Sequence, residues 1–164
     1  MPLTPYRRED ALAYARKWSL SRNPIYGNFH GMGGDCTNFI SQCVYAGAGV
    51  MNYTRDVGWY FKSLSDRAAA WTSVEHLHRF LTTNRSRGPQ ASEVDITSVA
   101  PGDVVQLGYN NGQFYHSLFI VQTGAVPDRH NIFICTHTYD ADMRALDSYM
   151  AERMRFLHVD GVQL

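Results

Sequence analysis

The chain has 164 residues, of which 45% are hydrophobic and 13% aromatic, and its fifteen basic side chains balance fifteen acidic ones. That is enough apolar material for the core of one domain over residues 1–164, and it excludes a disordered segment. A net charge of zero supplies no field to gather nucleic acid or an anionic membrane, and no apolar run approaches the ~20 residues that cross a bilayer.

The first eight residues carry basic side chains with no apolar stretch behind them, so no signal peptide is expected in this sequence. The compartment stays open, with an extracellular or cell-wall location among the options. Thr4 before Pro5 reads as a helix cap, and Ala11, Tyr14, Ala15 and Trp18 then repeat at helical spacing, which predicts a helix over 5–20. Asn23-Pro24 and the glycines Gly27, Gly31, Gly33 and Gly34 form a loop that ends at Asp35-Cys36. Beyond it Cys36, Phe39, Ile40, Cys43 and Val44 share one helical face until Gly47-Ala48-Gly49 stops the helix. Cys36 therefore falls in that helix's first turn.

Signals weaken between Val50 and Pro101. Thr72 and Glu75 suggest a capping box ahead of Val74, Leu77, Phe80 and Leu81, hence one more helix. The polar stretch 86–98 around Gly88-Pro89 reads as a surface loop. From Gly102 the period changes to two. A strand over 103–107, a tight turn at Asn110-Asn111-Gly112, a partner strand over 113–122, a third over 132–137 and a fourth over 155–159 are expected. Helices first and an antiparallel sheet second make an α+β fold, with the N-terminal helices packed on the sheet.

Cys36, Cys43 and Cys135 are the three cysteines, an odd number and too few for a disulfide framework. Cys36 and Cys43, two helical turns apart, are separated by about 10 Å and cannot bridge. At least one thiol is free. A thiol attacks carbonyl carbon as its thiolate, and a helix N-terminus favours that anion through its unpaired N–H groups. Cys36 has that placement, although spacing alone is equally consistent with a small apolar residue on a buried face. His116 interrupts an apolar strand face made by Phe114, Leu118 and Ile120, and a buried imidazole needs a partner on each nitrogen. A thiol on one side and an orienting acceptor on the other would meet that need. A core histidine bonded to backbone is the alternative. His76, His78 and His130 have charged or turn surroundings, and His30 lies in the glycine-rich loop.

The string Gly33-Gly34-Asp35-Cys36-Thr37-Asn38-Phe39-Ile40-Ser41-Gln42-Cys43 resembles the signature of the putative amidase domain family, which is related to the NlpC/P60 and CHAP groups of papain-like cysteine hydrolases. Three more stretches are similar in order and type: Ala11 to Ala15 with Asn23-Pro24-Ile25-Tyr26, then Gly102-Asp103-Val104-Val105 with His116-Ser117, and finally His137-Thr138-Tyr139-Asp140. The resemblance implies a papain-like, NlpC/P60-type fold and a cysteine amidase or peptidase, with Cys36 as nucleophile and His116 as base. It also implies a third polar residue on the next strand, His137 ahead of Asp140. The oxyanion hole would combine the Cys36 N–H with a second donor from the preceding loop, where Tyr26, Asn28 and His30 are the candidates. Asp35 is expected to cap the helix rather than to touch substrate. A peptide or amide bond, one of peptidoglycan foremost, is the implied substrate, and this chemistry needs no cofactor and no metal. An acyl transferase would use the same pair. An inert binding module on the same fold would leave Cys36 unreactive, and a metal site at Cys36, Cys135 and His137 lacks ligand spacing.

Overall fold

The computed structural model describes residues 2–32 and 34–164, so Gly33 in the expected loop lies outside the described residues, as does Met1. The first helix, α1 (Arg8–Trp18), starts later than the Thr4-Pro5 pair suggests. Thr4 is instead drawn into the sheet edge, where its N–H and C=O exchange hydrogen bonds of 2.8 and 2.9 Å with Val162. Acidic Glu9 and Asp10 in the first turn and basic Arg16 and Lys17 in the last oppose the helix dipole. Ala11 and Ala15, both fully buried, let α1 close on the next helix.

That helix, α2 (Cys36–Ala48), is buried along nearly its whole length and stops at Gly49, whose φ of +74° is one that glycine adopts freely. Burial on every side means its polar residues need partners, and they have them. Asn38 Oδ1 accepts the Trp71 indole N–H at 3.0 Å, Ser41 Oγ accepts that of Trp59 at 3.0 Å, and Gln42 Oε1 accepts the Tyr14 hydroxyl at 2.5 Å.

The weakly marked stretch after α2 builds the aromatic part of the core. A short hairpin, β1 (Phe61–Ser63) and β2 (Asp66–Arg67), leads into α3 (Ala69–Thr72) and α4 (Val74–Thr83). Trp59 and Trp71 are fully buried with ring centroids 4.9 Å apart. The α4 cap is Ser73, whose Oγ accepts the His76 N–H, and not the expected Thr72, which closes α3. Glu75 therefore does not complete a capping box; it reaches Arg155 at 3.1 Å.

Among the described residues six strands make the main sheet: β3 (Gly88–Val94), β4 (Val104–Gly108), β5 (Phe114–Gln122), β6 (Phe133–Thr136), β7 (Ala141–Ala145) and β8 (Arg153–Gln163). They run antiparallel in the order β3-β8-β4-β5-β6-β7. The expected surface loop at 86–98 is mostly β3, an edge strand, which explains its polar composition and its tolerance of Pro89. The Asn110-Asn111-Gly112 turn joins β4 to β5 as the pattern predicts, with Gly112 at φ +90°.

Helices cover one face of this sheet, where Val104, Phe119, Cys135, Leu157 and Val159 join the core of α1 and α2. The other face carries Val105, Leu107, Leu118, Ile120 and Ile134 under Leu146 and Phe156. The face of Leu118 and Ile120 thus turns away from α2, and Phe119 faces the helix. Helices packed on an antiparallel sheet are the observed α+β architecture. Among the described residues no helix is long and apolar enough to cross a membrane.

Candidate active site

Cys36 opens α2 and is 7% exposed. Burial pushes its thiol up, while the N–H of Ser117 together with the hydroxyl and N–H of Thr37 favour the thiolate and offset part of that rise. The Thr37 Oγ1 lies 3.8 Å from the sulfur and 3.1 Å from Ser117 Oγ. Ser117 is the residue after His116 on β5, so the thiol and the imidazole flank one peptide unit of the strand. The sulfur makes its contacts with Thr37 and Ser117, and no hydrogen bond joins it to His116 in this resting arrangement.

His116 points to the far side of the sheet. Its ring centroid is 6.3 Å from that of Tyr149. Burial, and then the positive charge of Arg144, lower its pKa from 6.5 to about 4. Both groups are therefore uncharged at neutral pH. His116 opens into a cavity of about 310 Å³ that it lines with Leu107, Tyr115, Tyr139, Arg144 and Tyr149. The Arg144 guanidinium lies 3.9 Å over the Tyr149 ring, and the Tyr149 hydroxyl is buried with no hydrogen-bond partner among the described residues. A shallower polar depression of about 380 Å³ at β3, bounded by His78, Arg85 and Asp160, has no cysteine near it.

His137 is not beside His116. It is 1% exposed, stacks on Phe39 with centroids 4.1 Å apart, and engages both ring nitrogens: Nε2 donates to the Trp18 carbonyl at 2.8 Å and Nδ1 meets Asp35 Oδ2 at 2.5 Å. The register explains this correction. Phe119 pairs with Cys135, so the parity that sends Ser117 and Phe119 to the helices sends His137 there too, and His116 to the opposite face. Asp140 is likewise elsewhere, accepting two hydrogen bonds from Arg22 at 2.7 and 2.9 Å.

Asp35 does not cap α2 with its side chain. Its buried carboxylate accepts the Phe29 N–H at 2.9 Å and the Asn38 amide at 2.8 Å, and Arg22 Nε stands 3.0 Å away as an ion pair without hydrogen-bond alignment. Burial favours the protonated acid, but the bonds from His137, Asn38 and Phe29 outweigh it and hold the carboxyl below its ordinary range. Tyr26, expected near the nucleophile, is a core residue stacked on Trp71 at 5.7 Å, with burial raising its hydroxyl to about 12. Asn28 and His30 sit on the exposed loop, where Asn28 Oδ1 accepts the His30 N–H at 2.8 Å.

Several residues at the site carry no sequence signal of their own. Arg22 joins Asp35 to Asp140. Thr138 Oγ1 accepts the Asp35 N–H at 2.8 Å and would lie 2.9 Å from a side chain at Gly34. Thr138 and Tyr139 have φ of +60° and +59°, a conformation that costs a residue with a Cβ about 1–2 kcal/mol. Ser117 and Thr37 are the neighbours of the two expected catalytic residues. Among the described residues no three His, Cys, Asp or Glu side chains group as they would around a metal ion.

Residues 5–159 match a family model described as "Putative amidase domain". A curated relative, "Uncharacterized protein YhbB" of Bacillus subtilis (strain 168), is 35% identical over 144 residues, which cover 85% of this chain and 43% of the relative. The chain thus spans about two fifths of that relative's length. No solved structure matches it.

Proposed function

The chain belongs to the putative amidase domain family, whose description points to hydrolysis of amide bonds, and from that premise we propose that it is a cysteine hydrolase with Cys36 as nucleophile and His116 as general base. One observation carries the reading. The thiol begins a buried helix and receives the N–H groups of Ser117 and Thr37, and Ser117 is next in sequence to His116, which opens into the cavity.

On this reading the Cys36 sulfur attacks the carbonyl carbon of a bound amide as its proton passes to His116 through a bound water, because the two side chains make no direct contact at rest. The Cys36 N–H meets the developing oxyanion. Thr138 Oγ1 accepts from Asp35 and keeps its own proton, so its hydroxyl supplies the second donor. The imidazolium then protonates the departing amine, leaving a thioester, which a water deprotonated by His116 hydrolyses. Burial keeps His116 neutral above about pH 4, the form a general base requires.

A nucleophile leading a helix against an antiparallel sheet, followed by a base on a central strand, supports a papain-like assignment related to NlpC/P60 and CHAP hydrolases. With it comes a peptide or amide bond of peptidoglycan as substrate. Two experiments test the proposal. Iodoacetamide labelling followed by mass spectrometry should modify Cys36 faster than Cys43 and Cys135, and His116→Ala should slow the labelling of Cys36 at a fixed pH. Labelling of Cys36 no faster than the other two thiols would remove it as nucleophile. Purified cell-wall sacculi should release amine or peptide on incubation with the protein and not with Cys36→Ala, and sacculi left intact by the wild type would rule out the proposed substrate.

A further inference from the structure

Thr138 and Tyr139 adopt consecutive left-handed conformations. A β-branched residue rarely does so, and such backbone persists only where its surroundings fix it. Here the fixing is visible on both sides of the turn. His137 before it is locked between Asp35 and Trp18, and Asp140 after it is held by two hydrogen bonds from Arg22. Thr138 itself is bonded to the residue that precedes Cys36. The product of this arrangement is an aromatic side chain with no burial to justify it. Tyr139 is 87% exposed and stands at the cavity that His116 lines.

Positive φ at both central residues is what the tight turn between β6 and β7 demands, so it is the exposed ring at the cavity rim that points to a contact made with something else. The cavity wall nearby is apolar and aromatic, with Leu107, Tyr115 and Tyr149, and among the described residues lining it the charged side chain is Arg144. A planar ring at the rim and a cation inside suit an apolar or aromatic group and disfavour a basic one. We propose that Tyr139 is a specificity-determining residue, held over the cleft by the Arg22, Asp35, His137 and Asp140 network, where it contacts an apolar or aromatic side chain next to the carbonyl presented to Cys36.

The inference rests on the proposed role of Cys36, and the test separates the two. N-acetyl-phenylalanine chloromethyl ketone and its lysine analogue carry the carbonyl and differ in side chain. Each alkylates the thiol by forming a sulfur–carbon bond as chloride leaves, the thiol proton passing to water. Iodoacetamide, too small to reach the rim, is the control. In the wild type the phenylalanine reagent should label Cys36 at least about tenfold faster than the lysine one. Tyr139→Ala should lower the phenylalanine rate by about tenfold and leave the iodoacetamide rate unchanged, whereas Tyr139→Phe should keep the selectivity because it keeps the ring. Unaltered selectivity in Tyr139→Ala with normal iodoacetamide labelling overturns the inference and leaves the nucleophile standing. Absence of Cys36 labelling by any of the three reagents sinks both.

Discussion

On the helical face of the sheet His137 is closed in by an aromatic ring, a carboxylate and a carbonyl, and each ring nitrogen has its partner. On the opposite face His116 lies against a tyrosine ring, has a cation nearby, and looks into a cavity. The two residues belong to adjacent stretches of chain, β5 and the end of β6, but their imidazoles lie on opposite faces. Their difference shows how one fold divides its polar chemistry. Partners complete the first, which holds the loop before Cys36 in place. The second keeps no such set of partners and faces the cavity, as the proposed general base would.

Removing each imidazole should separate these roles. His116→Ala is expected to lower turnover by at least about a thousandfold, worth about 4 kcal/mol of transition-state stabilisation, with little change in a urea unfolding midpoint. Turnover within tenfold of the wild type would place the base elsewhere. His137→Ala should do the reverse at first hand: it strips a buried carboxylate of its main partner and should cost about 3–5 kcal/mol in denaturant unfolding. A loss under about 1 kcal/mol would mean that Asp35 is satisfied without it.

Acid sharpens the contrast, because the two faces respond in different windows. His116 has a folded pKa of about 4 against 6.5 unfolded, so the unfolded chain binds more protons between those values. Stability should fall by at most about 3 kcal/mol as pH drops from 6.5 to 4, and His116→Gln should flatten that slope in unfolding curves taken across the range. Asp35 is depressed below its ordinary 3.8, so its contribution is present above that value and disappears only at lower pH. A slope between pH 6.5 and 4 that survives His116→Gln would assign it to another group. The smallest effect is expected from Cys43→Ala, which empties a small volume in the helical core and should cost about 1–2 kcal/mol without altering turnover.

How much of this the sequence shows depends on whether a pattern or a long-range pairing decides the matter. The spacing of Cys36, Phe39, Ile40, Cys43 and Val44 is enough to place α2 and put the cysteine at its start. The hairpin around Gly112 is equally readable, because a tight turn has its own residue requirements. Parity in β5 is not. A central strand covered on both faces is apolar on both, so Phe119 and Val121 compete evenly with Leu118 and Ile120, and the hydrophobic pattern does not choose the helical side. β3 escapes because an edge strand needs no apolar alternation. The partners of His137 and Asp140 are hidden for another reason: Asp35 and Arg22 precede them by more than a hundred positions, and no local rule links residues so far apart. The motif around His137 marks a place that matters without revealing which neighbour it serves.

The two hydrogen bonds between Thr4 and Val162 bear on how the molecule can be tethered. Arg7, just after Thr4, donates its N–H to Gly47 at 3.0 Å, which puts this corner at the C-terminal end of α2. Cys36 lies at the other end, about 18 Å away along a helix of thirteen residues. Both strands of chain that meet at the Thr4–Val162 bridge therefore leave from one corner, on the side away from the thiol. Whatever is attached through either of them, whether an affinity tag, a surface or a neighbouring domain, would hang behind the cleft and leave its mouth free.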